Sequence, residues 1–98
     1  MRTASSVDGI PIHLTEERLA HIADEHPELA EKAALILDVL GKPDCVVQGR
    51  SGELSAVRKL RSGRRLAVVY RQGKTEGFVI TAFYLKTGYY LRRKQVWP

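Results

Sequence analysis

The chain has 98 residues, 44% hydrophobic and 28% charged, enough for one hydrophobic core, too short for a second, and unlike the composition of a disordered protein. No apolar run approaches the roughly 20 residues of a membrane-spanning helix, and the single cysteine, Cys45, excludes an internal disulfide. The net charge of +5 is split: residues 1–49 carry four Lys/Arg against nine Asp/Glu, a balance of −5, whereas residues 50–98 carry twelve against two, a balance of +10.

Residues 1–9 lack the apolar centre of an export signal, and residues 1–11 read as a loosely ordered lead. Thr15 then suits a helix N-cap, Glu16 and Glu17 sit where the helix dipole favours acids, and Leu14 and Leu19 hold the two staple positions, which predicts a helix over residues 16–25. Its apolar stripe runs Leu19, Ile22, Ala23 and on to His26. Pro27 disfavours helical geometry at His26 and is well placed to begin a new helix, so His26 reads as the cap between two helices. The second helix is expected over residues 27–40, with Leu29, Ala33, Ile36, Leu37 and Leu40 on one face and Gly41 and Pro43 ending it.

After Asp44 the apolar period becomes strand-like. Residues 45–48, 54–60, 65–72 and 77–86 are β-rich runs separated by GRSG, RSG and QGKTEG, each a glycine-containing turn signal, and residues 89–97 suit a fifth strand along an edge. The order predicts an α+β single domain: a helical part over residues 12–41, and an antiparallel sheet of four to five strands over residues 44–97 with both helices on one face. Cys45, beside Val46 and Val47, reads as a buried and inert thiol. These features together favour the cytoplasm.

Two of the three histidines lie in the segment HIADEHPE. His21 falls with Glu17 and Glu25 on the polar side of the helix, whereas His26 continues the apolar stripe. Histidine is the side chain best suited to proton transfer near neutral pH, although capping for His26 and simple exposure for His21 are the ordinary alternatives. Their five-residue gap does not place two ligands on one helix face, and there is no cysteine cluster, so no metal is expected. In the second strand, alternation sets Arg58 with Leu54, Ala56 and Leu60, and Lys59 with Ser55 and Val57. One of the pair therefore lies along a sheet face, where a guanidinium can hold a phosphate by two parallel hydrogen bonds. Thr81, Tyr70 and Tyr84 fall in the strands expected to be central, and each is also an ordinary strand residue. Tyrosines among Arg71, Lys86 and their neighbours suit stacking on unpaired bases, and a basic sheet attracts a polyanion such as RNA. Lys and Arg on sheet edges also discourage aggregation without any further role. There is no glycine-rich phosphate loop and no nucleophile triad, so chemistry here would be acid-base chemistry without a cofactor.

The segments LTEERLAHIADEHPEL, KPDCVV, VRKL, RLAVVYR, FVITAFY and the final VW resemble the small phage- and toxin-associated members of the barnase, EndoU, colicin and RelE-like nuclease group. The resemblance spans residues 12–97, and HIADEHPE and ITAFY are its most specific parts. It implies a metal-independent ribonuclease in which two N-terminal helices pack on a four-stranded antiparallel sheet whose open face holds the active site. It also implies that the RNA 2′-hydroxyl is the nucleophile, with His21 and His26, Arg58 or Lys59, and Thr81 at the matching positions. Glu53 begins a strand and Glu76 lies in a turn, so no glutamate stands within a strand to accept the proton, and that role moves to His26.

The expectation is an endoribonuclease, toxin-like or processing, with His26, His21, Arg58, Thr81 and Tyr70 as catalytic candidates. Lys59, Arg71, Lys86 and Tyr84 are the candidates for RNA binding. Its partners would be RNA and an inhibitor or antitoxin protein, and no membrane. The alternatives are an RNA-binding module that does not cleave, and an interaction partner whose acidic helical face meets a basic protein.

Overall fold

The computed structural model describes residues 1–86 and 92–98. Among them the chain runs β1 (Arg2–Ser5), β2 (Pro11–Leu14), α1 (Glu16–Glu25), a 3-10 turn (Pro27–Leu29), α2 (Ala33–Gly41), β3 (Cys45–Gln48), β4 (Leu54–Lys59), β5 (Arg65–Gln72), β6 (Gly77–Tyr84) and β7 (Lys94–Trp97). The strands form one sheet in the order β1-β2-β6-β5-β4-β3-β7.

This corrects the expected four- to five-stranded antiparallel sheet. The sheet has seven strands and is mixed, because β2 pairs with β6 in parallel through Ile12 with Gly77 and His13 with Phe78. Two strands precede the helices. Residues 6–10 turn the chain back on itself: the Ser6 N–H donates to the Ile10 carbonyl at 2.9 Å, the Gly9 N–H to the Ser6 carbonyl at 2.9 Å, and Gly9 supplies the left-handed backbone at φ 78°. The lead is therefore a hairpin, with Arg2 opposite Leu14 and Ser5 opposite Pro11.

α1 spans its expected residues. Thr15 caps it by accepting the Arg18 N–H at 3.1 Å, and the helix ends where His26 donates its backbone N–H to the Ile22 carbonyl at 2.7 Å. The second helix is shorter than its pattern. Residues 27–29 form only a 3-10 turn, Glu31 takes a left-handed φ of 61°, and the α-helical geometry resumes at Ala33. A left-handed residue cannot continue a right-handed helix, so Leu29 reaches the core from the turn and Ile36, Val39 and Leu40 from α2.

One core joins these residues to Ile12 and Leu14 of β2, Ala56 of β4, Leu66, Val68 and Tyr70 of β5, and Val79 and Ala82 of β6. Each fully buried aliphatic side chain here contributes about 1.5–3 kcal/mol relative to exposure. The sheet face away from this cluster is not bare. Ser55 and Val57 of β4, Val47 of β3 and Ala67 of β5 are also buried, so three successive residues of β4 are covered and both faces of its centre are closed. The open sheet face implied by the resemblance is thereby closed over β4, while Val69 and Thr81, paired on that side of β5 and β6, stay partly exposed. The edge strands are short: β1 is RTAS and β7 is KQVW, and four-residue edges with Arg or Lys discourage pairing with other chains.

Candidate functional site

Strand register sorts the candidate residues onto two faces. On the helix-covered face lie Arg58, opposite Leu66, and Tyr70, opposite Val79. The Arg58 guanidinium donates to Asp38 Oδ2 of α2 at 2.8 Å and to the Lys42 carbonyl at 3.3 Å. That hydrogen bond, and the charge behind it, holds the Asp38 carboxyl below its ordinary pKa. Tyr70 is 0% exposed, and its hydroxyl has no hydrogen-bond partner. Burial, aided by the charge of Asp8, pushes its pKa up to about 12. Both residues are occupied in joining the sheet to the core.

The other face collects a different set. Lys59 pairs with Arg65, Ala67 with Phe83 and Val69 with Thr81, so Lys59, Arg65, Thr81 and Phe83 share a side of the sheet near the end of β6. His26 arrives there from the junction of α1 and the 3-10 turn. Its ring lies 6.0 Å from the Phe83 ring, centre to centre, at 33°, because β2 pairs only with the start of β6 and leaves room beside the far half of that strand. The imidazole is 31% exposed, with Nδ1 3.7 Å from Glu28 Oε1, and its side chain makes no capping hydrogen bond. Arg65 stands diagonal to Phe83 across one strand, a separation of roughly 7–8 Å. Lys59 is a further strand away and exposed, and its backbone N–H is taken by Asp44 Oδ2 at 2.8 Å.

The remaining candidates lie elsewhere. His21 is exposed on α1, 2.5 Å from Glu25, and shares a shallow groove with Glu17 and Asp24. Those carboxylates repel an anionic substrate. Tyr84 carries the Arg64 guanidinium on its ring at 3.7 Å, a cation–π contact, and packs against the core. Arg71 lies at the opposite end of the far face, donating to the Ser51 carbonyl at 3.0 Å, with Glu53 3.9 Å away. Lys86 is exposed just beyond β6. Cys45 is half-buried, and burial together with Asp44 raises its pKa, so its thiol stays protonated. Part of the expected fifth strand, residues 89–91, lies outside the described residues; β7 occupies the rest, on the edge beside β3.

Arg65, Phe83, His13 and Phe78 were not among the expected site residues. The period-two pattern Arg65, Ala67, Val69, Arg71 and the β5–β6 turn contain the signal for the first two. Among the described residues, no group of three or more His, Cys, Asp or Glu is placed to hold a metal ion, and no helix is long and apolar enough to cross a membrane. Comparison with protein-family models, with curated proteins and with solved structures finds no match to this chain.

Proposed function

We propose that the protein is a metal-independent endoribonuclease of the toxin-like or processing kind, working in the cytoplasm on single-stranded or looped RNA. The observation that carries this reading is the contact of a partly exposed imidazole, His26, with Phe83 on the sheet side that also bears Lys59, Arg65 and Thr81. In the reaction, the RNA 2′-oxygen bonds to phosphorus as the bond to the 5′-oxygen breaks, leaving a cyclic phosphate and a 5′-hydroxyl. His26 takes the proton from the 2′-hydroxyl or gives one to the leaving 5′-oxygen, Lys59 and Arg65 stabilise the added negative charge on the phosphate, and Thr81 positions it. Arg58 and Tyr70 serve the fold in this reading. An inhibitor protein, if one restrains the enzyme, would present acidic residues to the same cations.

The test is incubation of the purified chain with labelled RNA in EDTA, followed by analysis of the product ends. Cyclic phosphates and 5′-hydroxyls are expected, and an RNA with a 2′-deoxy substitution at the cut site should resist. RNA that is bound but left intact over a broad pH range would instead favour a binding module built from the same basic sheet.

A further inference from the structure

At the start of β6, on the same side of the sheet as His26 and roughly 15 Å from Phe83 along the strand, lies a second group that the proposed chemistry does not use. Phe78 is opposite Arg71 in β5 and beside His13 in β2. It is a large aromatic ring left 53% exposed. His13 Nε2 is 2.8 Å from Glu76 Oε1, and its Nδ1 is 3.0 Å from Thr3 Oγ1, so the imidazole is held at both nitrogens across β1, β2 and the turn before β6. His13, Arg71, Glu76, Gly77 and Phe78 border a groove of about 540 Å³. The side chains of Arg71 and Glu76 are 47% and 68% exposed.

We infer that this groove is a binding subsite for one unpaired nucleotide of an RNA strand. Phe78 is the stacking platform, Glu76 accepts hydrogen bonds from an exocyclic amino group, and Arg71 meets the adjoining phosphate. A ring left exposed on the wall of a groove offers a base a π-face without repacking any core. His13 is the positioning residue: bonded to Thr3 on one side and Glu76 on the other, it fixes the carboxylate beside the ring. A carboxylate acceptor favours adenine, cytosine or guanine, which carry an amino group, over uracil. Continuity with the His26 end gives the strand a direction along β6. This inference rests on the proposal that RNA is the ligand.

The experiment is fluorescence anisotropy of the full chain with labelled 2′-O-methyl oligonucleotides, which lack the nucleophilic 2′-hydroxyl, comparing oligo-A and oligo-C with oligo-U. Phe78→Ala should weaken oligo-A binding about tenfold or more, the scale of one lost base stack, and Phe78→Tyr should restore it. Glu76→Gln should narrow the difference between oligo-A and oligo-U. If the wild type binds and Phe78→Ala binds equally well, the subsite is wrong while the proposed function stands. If the wild type binds no oligonucleotide at low salt, both fail.

Discussion

His26 and Tyr70 show how burial and hydrogen bonding separate residues that resemble each other as candidates. Tyr70 has the chemistry of a general acid, yet its hydroxyl is sealed in the core without a partner. An unsatisfied buried polar group costs about 1–3 kcal/mol, so Tyr70→Phe should leave the chain as stable or raise its stability by about 1 kcal/mol in denaturant melts. The pH dependence has a definite sign. The folded pKa of about 12 exceeds the ordinary value of 10.0, so the stabilisation is complete below about pH 10 and is lost as the pH rises toward 12. Tyr70→Phe should remove that part of the alkaline decline, measured as melting temperature against pH. Loss of several kcal/mol at neutral pH would show that the hydroxyl has a partner after all.

The elements differ in how far local sequence determined them. α1 was legible because its cap, acidic first turn and stripe all agree, and β3 and β5 because glycine turns bound an uninterrupted β-rich run. The β1–β2 hairpin is not legible from periodicity, although Asp8-Gly9 ahead of Pro11, Ile12, His13 and Leu14 is a hairpin signal; its polar first strand has no apolar alternation to follow. The break at Glu31 was also invisible, because Leu29 keeps helical spacing with Ala33 even though the backbone between them turns left-handed. The site divided in the same way. Alternation correctly separated Arg58 from Lys59, but which of them faced the helices depended on Asp38, twenty residues earlier. Gly77 sits where β6 closes on both neighbours: an added Cβ would lie 2.2 Å from the Arg71 carbonyl oxygen of β5 and 2.8 Å from Ile12 Cδ1 of β2. Gly77→Ala should therefore destabilise the chain by about 1–3 kcal/mol, read from denaturant unfolding. A neutral result would mean that the start of β6 packs loosely against β5 and β2 or lies in another register.

Across the whole molecule, the sequence split of charge becomes a spatial one, with acids along the exposed side of α1 and cations on the sheet and its turns. If RNA is the ligand, those cations release counterions on binding it, so affinity should fall steeply as salt rises, and Lys59→Ala with Arg65→Ala should flatten the slope by about two phosphate contacts. Affinity that is insensitive to salt would remove electrostatics from the account. The proposed catalysis belongs to the sheet side reached by His26 and not to the side holding Arg58. Its most direct test is the single-turnover cleavage rate of one labelled RNA by wild type, His26→Ala and Arg58→Gln, each confirmed folded by circular dichroism. His26→Ala should lower the rate about a hundredfold or more, the scale of lost general acid-base catalysis, while Arg58→Gln stays within a few fold of wild type. A folded His26→Ala that cleaves at the wild-type rate, or an Arg58→Gln that loses as much as His26→Ala was expected to, would contradict it.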